Sequence, residues 1–430
     1  MLDIKKIREN SENVEARIRT KIPGFSLKEI LEADGALREK KDLVDRLKNR
    51  KNSIAKEIGQ RKRVGEDLSK LTAEGAEIGD RIGLLDAEAH RLESEVKELL
   101  SHLPNLPMPE VPVSSDPAEN VCLETVGEKP LFSFTPKHHL LLNETLSLFD
   151  FARGAKIAGT GWPCYRGAGA RLEWALIRLM LDTHTERGFE MWIPPLLARP
   201  DVMYGSAHLP KFEEDLYKTE GESRFLYLIP TAEAVLNGLH YDEIIDGDAL
   251  PFKYTAFTPC FRKEAGAAGR QERGLIRTHQ FNKVELFCVT RPEESGRVYE
   301  EMVASAEAVL EKLELHYRKM LLVTGDIAFP AAKTIDLEVW LPGQERYYEV
   351  SSLSDCTDFQ ARRSKMRYKK QGDKPRFCHT LNGSGLATSR LMAALLENRQ
   401  TVDGRVVLPE ALRPYFGGDE IATCPSKSDR

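Results

Sequence analysis

An apolar heptad repeat in the first third of the chain constrains its fold more than any other feature. Apolar residues recur every seven positions over residues 71–99, and a second series of the same period covers residues 75–103. The two series alternate by four and three residues, which is typical of the buried seam of a coiled coil. A similar pattern lies upstream, so residues of about 27–103 are predicted to form two long antiparallel helices.

The segment between these helices carries the signals of a turn, and the helix before it is strongly basic. Gly65 is suited to end a helix, and Asp67 and Ser69 are suited to begin one. Residues 38–63 hold eleven basic and four acidic side chains, a local net charge of +7. These charges either pair across the hairpin or bind a phosphate backbone. The second interpretation is favoured, because the cluster extends to the tip of the hairpin.

A proline-rich segment marks the end of this helical region. Five prolines lie within residues 104–117, and such a segment cannot continue a helix. The boundary predicts an N-terminal domain of residues 1–110 and a second domain of residues 111–430. Beyond it, strands and helices mix without a regular βαβ alternation. The predicted fold class is therefore α+β, with a mostly antiparallel sheet and flanking helices.

Bulk properties exclude several classes of protein. The net charge is only −5, so any attraction to nucleic acid must be local. No apolar run has the length of a membrane span, and the start of the chain lacks a signal-peptide pattern. The seven cysteines are scattered, with no C-x-x-C pair. These features predict a cytoplasmic protein without a zinc site.

Individual segments of the second domain have helix or strand character. Two helices are predicted over residues 298–315 and 386–398, the latter entered through the glycine-rich segment 382–385, with Ser384 as a possible helix cap. Residues 227–236 are among the predicted strands. Two further strands, ending near Arg262 and beginning near His279, form a predicted antiparallel hairpin whose glycine- and arginine-rich loop covers residues 265–274.

This hairpin carries more charge than an ordinary buried sheet. Its charged residues include both signs: Arg262, Glu264, Arg277, Lys283 and Glu285. Buried charges persist when they pair with each other or bind a ligand. A ligand that is a polyanion and also carries an ammonium group would use this mixture. The alternative is a solvated hairpin loop, which is the commoner use of such a sequence.

Other residues of the second domain fit the same type of ligand. Arg390 follows the glycine-rich segment and is suited to bind an anion, while Glu338, Glu349 and Ser352 offer oxygen ligands for a divalent cation. Arginines combined with carboxylate-bound Mg²⁺ are common in nucleotide chemistry. The chain has no Walker A sequence and no G-x-G-x-x-G, so a P-loop or Rossmann enzyme is not expected.

Six segments, in order along nearly the whole chain, resemble one family. FRKEAGAAGRQERGLIRTHQF resembles motif 2 of class II aminoacyl-tRNA synthetases, in the form found in bacterial-type seryl-tRNA synthetases. GFEMWIPPLL, with Pro194, resembles motif 1, and LNGSGLATSR, ending in Arg390, resembles motif 3. IPTAEA, TIDLEVWLP and YYEVSSLSDCTDFQARR are similar to further segments of that family, and the helical hairpin is similar to its tRNA-binding arm.

The resemblance implies a role for individual residues. Three arginines would carry catalysis, namely Arg262, Arg277 and Arg390. The serine pocket would consist of Thr231, Glu233, Arg262, Glu285 and Ser384. ATP would contact Arg262, Lys263, Glu264, Arg277, Phe281, Glu349, Val350, Ser351, Ser352 and Arg390. Glu349 and Ser352 would also bind the Mg²⁺ that accompanies ATP, and the loop between Glu264 and Arg277 would reach the acceptor end of tRNA.

The implied function is the ATP-dependent ligation of L-serine to tRNA(Ser) through a seryl-adenylate, with tRNA(Sec) as a further acceptor. Motif 1 implies a homodimer. The alternatives are a ligase of the same fold that loads a small amino acid onto a carrier protein, and a nucleic-acid-binding scaffold with an inactive domain. Such carrier ligases lack a long basic arm, and an inactive domain would have lost ligand residues. Motif 3 departs from the family pattern at Ser389, where glycine is usual.

Overall fold

The computed structural model describes residues 1–221, 225–265 and 274–422. Residues 266–273, most of the loop predicted to reach tRNA, therefore lie outside the described residues. The chain divides into two compact units, Met1–Leu103 and Pro104–Arg430. No helix in the described ranges combines the length and the apolar character that crossing a membrane requires.

The first unit is helical and contains the predicted antiparallel hairpin. Its described helices are α1 (Ile4–Glu9), α2 (Ser11–Arg19), α3 (Lys28–Arg63) and α4 (Ser69–Ser101). The seam between α3 and α4 buries apolar residues that include Val44 and Ile54 from one helix and Leu85 and Ala89 from the other. The heptad prediction is confirmed, because burying this stripe is what stabilises two long helices in water.

The turn between α3 and α4 uses the residues that the sequence singles out. Gly65 has a φ of +74°, a left-handed conformation in which a side chain would be strained. The Asp67 carboxylate accepts a hydrogen bond from the Ser69 backbone N–H at 2.9 Å, which satisfies one donor at the start of α4.

Part of the basic charge of α3 is neutralised by α4. Among the described residues, four ion pairs join α3 to α4: Lys40–Glu88, Lys41–Glu93, Lys48–Asp86 and Arg50–Glu74. Nearer the tip, Lys51, Lys56 and Lys62 are exposed and make no ion pair within the described part of the chain. The pairing interpretation therefore applies to residues 40–50 of α3, while binding of a phosphate backbone by the stretch nearer the tip stays a prediction.

A mixed sheet forms the centre of the second unit. Within the described residues it has eight strands, in the order β1-β10-β11-β12-β15-β9-β8-β4, and β4 is parallel to β8 while the other pairs are antiparallel. Its strands are β1 (Val121–Val126), β4 (Glu190–Trp192), β8 (Phe252–Phe261), β9 (Gln280–Thr290), β10 (Tyr317–Leu321), β11 (Lys333–Leu341), β12 (Arg346–Asp355) and β15 (His379–Ala387).

Short strands and helices surround this sheet. The remaining described strands are β2 (Phe149–Asp150), β3 (Cys164–Tyr165), β5 (Leu197–Ala198), β6 (Tyr227–Leu228), β7 (Ile244–Asp246), β13 (Arg367–Lys369), β14 (Arg376–Phe377), β16 (Val406–Val407) and β17 (Glu420–Ile421). The helices are α5 (His139–Leu146), α6 (Phe151–Ala158), α7 (Ala168–Glu186), α8 (Pro200–Gly205), α9 (Ala232–Gly238), α10 (Ser295–Lys312), α11 (Phe359–Ser364), α12 (Thr388–Asn398) and α13 (Arg413–Phe416).

The two faces of β9 serve different purposes, because successive side chains of a strand point to opposite faces. Leu286 and Cys288 belong to an apolar core that includes residues of α7, α10 and α12. Phe287 and Val289 belong to a second core, which includes residues of α8, α9 and α11. Glu285, Lys283 and Phe281 lie on the same face as Phe287, nearer the start of β9. The polar side chains of this face therefore lie next to the second apolar core.

Two local predictions are wrong. Residues 232–238 are helical rather than extended, because Thr231 caps the segment by accepting a hydrogen bond from the Glu233 N–H and alanines favour the helix. The glycine-rich segment 382–385 belongs to β15 and not to a helix entry, so Ser384 does not cap α12. Pairing with β9 extends β15 to Ala387, and a bulge lies between Ser384 and Leu386.

Candidate active site

A polar cleft of about 350 Å³ opens on the face of the sheet that carries Glu285. Strands β9, β12 and β15, helices α9 and α12, and the segment that follows β8 all contribute to it. Most of the residues predicted for ligand binding line this cleft: Thr231, Glu233, Arg262, Glu264, Arg277, Phe281, Glu285, Glu349, Val350, Ser352, Ser384 and Arg390. The fold thus brings together positions that are up to about 160 residues apart in sequence.

A buried cluster of charges occupies one end of the cleft. Lys283 Nζ lies 2.5 Å from Glu285 Oε2, and both side chains are almost completely buried. The hydroxyl of Thr231 donates to the same carboxylate oxygen at 3.0 Å. Burial raises the pKa of the Glu285 carboxyl, and the Lys283 ammonium offsets part of that rise. Burying either charge alone would cost much free energy, and the pairing of Lys283 with Glu285 offsets part of that cost.

A second carboxylate, that of Glu233, lies at the same end. Burial raises its pKa to about 7, and the charge of Glu285 adds to the rise. The Gln360 amide donates to Glu233 Oε1 at 2.6 Å and so fixes its orientation. Lys283 pairs with Glu285, and the charges of Lys283 and Arg262 lower the pKa values of both carboxyls, but Glu233 has no ion-pair partner among the described residues. This end of the cleft is suited to an ammonium group.

Arg262 lies near both Glu233 and Glu285, since its charge lowers the pKa values of their carboxyls. Its backbone N–H donates to the His279 carbonyl at 2.9 Å, and its Nε donates to the Pro230 carbonyl at 3.3 Å. The guanidinium carbon is 5.2 Å from the centre of the Phe281 ring. This contact holds the planar group against the aromatic face and leaves other N–H donors for a ligand.

Four predicted ligand residues are paired with each other in the described structure. Arg277 Nη1 lies 2.6 Å from Glu264 Oε2, and Glu264 has the left-handed φ of +53°. Arg390 Nη1 lies 3.1 Å from Glu349 Oε2 and also donates to the Glu349 carbonyl at 3.0 Å. The positive groups expected to bind phosphates are therefore held in place by carboxylates.

Oxygen groups that suit a divalent cation lie on β11 and β12. Asp336 is the cross-strand partner of Ser352, and a bulge beside Leu337 and Glu338 turns the chain near Glu349. Asp336 Oδ1 is buried and has no hydrogen-bond partner in the described part of the chain. Burial first, and then the charge of Glu349, hold the pKa of the Asp336 carboxyl well above its usual value.

An unpartnered buried carboxylate oxygen beside another carboxylate fits a hard cation, since a cation would satisfy both. Glu338, the other predicted carboxylate, is used differently. Its Oε2 lies 2.5 Å from Arg318 Nε on β10, and Glu338 is not among the residues that line the cleft. The structure therefore favours Glu349 and Ser352, with Asp336 behind them, as the cation ligands.

Two predicted ligand residues do not line the cleft. The Ser351 side chain is buried and donates to the Ser384 carbonyl at 2.5 Å, so it supports the adjacent strand. The Lys263 backbone N–H donates to the Asp215 carbonyl, and its ammonium lies 5.8 Å from the centre of the Tyr217 ring. These positions suit a supporting role better than direct ligand contact.

Some residues of the cleft and its surroundings are not evident from the sequence. His208 and Asn382 line the cleft, and Asp336 is the cross-strand partner of Ser352, which lines it. The His208 imidazole contacts the Ser206 hydroxyl at 2.8 Å, and burial together with the charge of Arg262 lowers its pKa to about 3. Lys283, one of the charged hairpin residues named from the sequence, also lines the cleft, on the strand face that carries Phe281 and Glu285.

Comparison with known proteins identifies two family models in this chain. The model of the seryl-tRNA synthetase N-terminal domain matches residues 1–107. The model of the tRNA synthetase class II core domain, shared by the glycine, histidine, proline, serine and threonine enzymes, matches residues 217–399. Together they cover most of the chain, and the second includes every residue predicted for the cleft.

Full-length relatives agree with these models. The serine–tRNA ligase of Chlamydia pneumoniae is 49% identical over 98% of this chain and 99% of its own length. The crystal structure of seryl-tRNA synthetase from Pyrococcus horikoshii complexed with ATP is 41% identical, with a TM-score of 0.94 over 99% of this chain and 100% of that chain. The cytoplasmic serine–tRNA ligase of Naegleria fowleri in complex with AMP is 29% identical, with a TM-score of 0.87 over 98% of this chain and 99% of that chain.

Proposed function

Since the chain belongs to the seryl-tRNA synthetase family and is a ligase of serine to tRNA, we propose that its cleft forms seryl-adenylate from L-serine and ATP and then transfers the seryl group. The observation that carries this proposal is the charge layout of the cleft. Glu233, Glu285 and Arg262 lie close enough for their charges to interact, and Arg262 also contacts Phe281. Arg277 and Arg390 line the same cleft beside other carboxylates, those of Glu264 and Glu349. These charges match an amino acid and a nucleoside triphosphate that meet through carboxylate and α-phosphate. The ammonium group matches the carboxylates of Glu233 and Glu285, and the phosphates match the arginines.

Serine binds at the end that holds Glu233 and Glu285. Its ammonium group pairs with these carboxylates, and its hydroxyl hydrogen-bonds within the group formed by Thr231, Glu285 and Ser384. Ser384 is the cross-strand partner of Glu285, which places both on neighbouring strands of this pocket. Because polar groups of the pocket would be left unpaired by alanine, we expect discrimination of about 10⁴-fold against alanine.

ATP binds along the rest of the cleft. The adenine stacks on Phe281 and its amino group contacts Glu264, while Arg277 and Arg390 bind the outer phosphates. Arg262 contacts both the α-phosphate and the serine carboxylate, for which its planar fork of N–H donors is suited. Val350 and Ser351 support this surface from β12, and Lys263 supports it from the end of β8.

The carboxylate of Glu349 and the hydroxyl of Ser352 are suited to hold Mg²⁺ with ATP, and Asp336 supports them. The bound cation would supply positive charge to the phosphates. Glu349 would then exchange Arg390 for the cation, and the Arg390 guanidinium would contact a phosphate instead. In the same way Arg277 exchanges Glu264 for phosphate, and Glu264 exchanges Arg277 for the adenine amino group.

In the first step a serine carboxylate oxygen attacks the α-phosphorus in line. The bond between this phosphorus and the bridging oxygen of the β-phosphate breaks, and pyrophosphate leaves. In the second step the terminal ribose hydroxyl of tRNA attacks the acyl carbon, loses its proton, and displaces AMP. No side chain forms a covalent intermediate, so the protein acts by positioning the reactants and stabilising their charge.

Serine-dependent exchange of labelled pyrophosphate into ATP, measured across a panel of amino acids, tests the first step. Transfer of serine to purified tRNA(Ser), with tRNA(Sec) as a separate acceptor, tests the second. We expect exchange with serine that exceeds exchange with glycine or alanine, followed by transfer to tRNA(Ser). Exchange with glycine or alanine but not with serine would instead indicate a carrier-protein ligase, and no exchange with any amino acid would contradict both enzyme functions.

The raised pKa of Glu233 predicts a pH dependence of serine binding. The ammonium group of serine binds the ionised carboxylate, whose population falls as the pH drops through about 7. We therefore expect the KM for serine in the exchange reaction to be about tenfold higher at pH 6 than at pH 8. The transition belongs to Glu233 and Glu285 together, because the two carboxyls interact.

The KM for ATP, measured in the same series, serves as the control and should change much less. Glu233→Gln should raise the KM for serine at every pH and flatten its pH profile. A serine KM in the unmodified protein that is equal at pH 6 and pH 8 would contradict the assignment of the ammonium site.

The hairpin of α3 and α4 is proposed to bind the tRNA backbone through the part of α3 that α4 does not neutralise. Replacing Lys51, Lys56 and Lys62 by glutamine should raise the KM for tRNA at least about tenfold and reduce its salt dependence. The matched control removes the same number of charges from lysines that pair with α4: Lys40, Lys41 and Lys48. This control should change the KM about twofold, and equal effects of both sets would contradict binding by the unpaired tip.

The homodimer and the cytoplasmic location are also proposed. Trp174 on α7, Met191 on β4 and Ile193 just after it are exposed apolar side chains in the motif 1 region. The strand β4 lies at an end of the sheet, where a second copy of the chain could cover these residues.

A further inference from the structure

Glu173 is a buried carboxyl group that the proposed mechanism does not use. It lies on α7, and its two oxygens have different surroundings. Oε1 accepts a hydrogen bond from Asn282 Nδ2 at 2.9 Å and contacts the Thr388 hydroxyl at 2.5 Å. Oε2 is buried and has no hydrogen-bond partner in the described ranges. One carboxyl of α7 thereby joins β9 and the first residue of α12.

The positions of its two partners connect Glu173 to the cleft. Asn282 directly follows Phe281, the proposed adenine platform. Thr388 begins α12, two residues before Arg390, a proposed phosphate ligand. Neither Asn282 nor Thr388 is a proposed ligand. Each of them, however, holds the backbone close to a proposed ligand: Asn282 next to Phe281, and Thr388 near Arg390.

The hydrogen atoms available to this group indicate its protonation state. The Thr388 hydroxyl has one hydrogen but contacts two oxygens, Glu173 Oε1 at 2.5 Å and the Asn282 carbonyl at 3.0 Å. If Glu173 were ionised, the single hydrogen would have to be shared between the two oxygens or leave one contact without a hydrogen. If Oε1 carries a proton, it donates to Thr388, which donates to Asn282, and every contact is a hydrogen bond.

Burial supports the same state. It raises the pKa of the Glu173 carboxyl, and the hydrogen bonds from Thr388 and Asn282 only partly oppose it. The titratable group that faces Glu173 is the phenol of Tyr165, whose own pKa is raised well above its usual value by burial and by Glu173. Among the described residues no cation contributes to the pKa of Glu173, and the unpartnered Oε2 is less costly as a neutral carbonyl.

We propose that Glu173 is a positioning residue for the ATP site and acts as a neutral carboxylic acid that donates a hydrogen bond to Thr388. This inference rests on the proposed function only for the roles of Phe281 and Arg390. A second side chain of α7 also contacts a strand that contributes to the cleft. The His184 imidazole contacts the Gly385 carbonyl at 2.9 Å, and a Cβ at position 385 would lie 2.5 Å from that ring.

The test compares Glu173→Gln with Glu173→Ala in serine-dependent pyrophosphate exchange. Glutamine keeps the shape and is neutral, and its amide can donate to Thr388 and to a flipped Asn282 amide. We expect it to retain activity within about threefold, whereas alanine should raise the KM for ATP about tenfold and change the KM for serine much less. Glu186→Gln, on the exposed end of the same helix, is the matched control and should have no effect.

A large loss in Glu173→Gln, with Thr388→Ser unaffected and the variant folded, would overturn the neutral state. An unchanged KM for ATP in a folded Glu173→Ala would overturn the positioning role. If Glu173→Ala does not fold, Thr388→Val answers the second question, since it removes the same hydrogen bond and keeps the side-chain shape. Absence of serine-dependent exchange in the unmodified protein would contradict the proposed function instead.

A measurement without substrate tests the protonation state directly. The infrared difference spectrum of the unmodified protein minus Glu173→Gln at neutral pH should contain a protonated-carboxyl C=O band, which shifts in heavy water. A difference spectrum that contains only carboxylate bands would overturn the proposal.

Discussion

Lysine in place of Arg262 should lower serine-dependent pyrophosphate exchange by about 10²- to 10³-fold, although it keeps the positive charge. Arg262 is the proposed contact to both reactants, the α-phosphate of ATP and the carboxylate of serine. A guanidinium group offers several N–H donors in one plane, so it can bind both oxygens at once. A lysine ammonium is a compact charge that cannot hold the two groups in line for attack.

The surroundings of Arg262 strengthen this expectation. Its guanidinium packs on Phe281 and its Nε is used by the Pro230 carbonyl, so its orientation is fixed before the substrates bind. Lysine would lose both contacts, and the loss should appear mainly in kcat, because alignment matters most in the transition state.

Arg376→Lys is the matched control for this substitution. Arg376 pairs with Glu293 at 2.8 Å on the exposed surface, where such a pair contributes little. Both variants should unfold at nearly the temperature of the unmodified protein. Exchange by Arg262→Lys within about threefold of normal would contradict the bidentate role of this residue.

The second large effect is expected on transfer of serine to tRNA, when the arm is replaced. A short glycine–serine turn in place of residues 38–90 should leave serine activation within about threefold of normal but lower transfer to tRNA by about 10³-fold or more. The expectation rests on two features of the structure. The residues that line the cleft all belong to the unit Pro104–Arg430, and the seam of the arm is formed by α3 and α4 themselves.

Exchange and transfer must be measured on the same preparation, with circular dichroism to establish that the rest of the chain is folded. The glutamine set at Lys40, Lys41 and Lys48 provides an intact arm with altered charge for comparison. Loss of both reactions in a folded variant would contradict separate roles for the two parts of the chain. Full transfer without the arm would contradict its role in tRNA binding.

The parts of the structure that follow from local patterns could be predicted from the sequence. The heptads of α4 predict the hairpin because burial of an apolar stripe repeats with the helix. The charged pattern from Arg262 to Glu285 predicts a ligand site because such charges are rarely buried without partners. The sequence predicts a strand over residues 227–236 because a short apolar run has no clear period, and only the Thr231 cap distinguishes the helix of residues 232–238.

The remaining features depend on contacts between distant segments. Asp336 appears in its strand as one more polar residue, and only its pairing with Ser352 places it beside Glu349. Glu173 appears as a charged residue of an amphipathic helix, and nothing near it in sequence indicates contacts with Asn282 and Thr388. The sequence likewise does not reveal that Glu264 and Arg277 are paired, since both were expected to contact different parts of ATP.

The pairing of Glu264 with Arg277 and of Glu349 with Arg390 has a consequence for inhibitor design. A compound that carries only phosphate-like groups must separate both ion pairs. Mg²⁺ would then neutralise Glu349, but Glu264 would have no partner. A compound that also presents an amino group to Glu264 gives this carboxylate a new hydrogen bond. We therefore expect ATP mimics with an intact adenine to bind far more tightly than the same chain of phosphates alone.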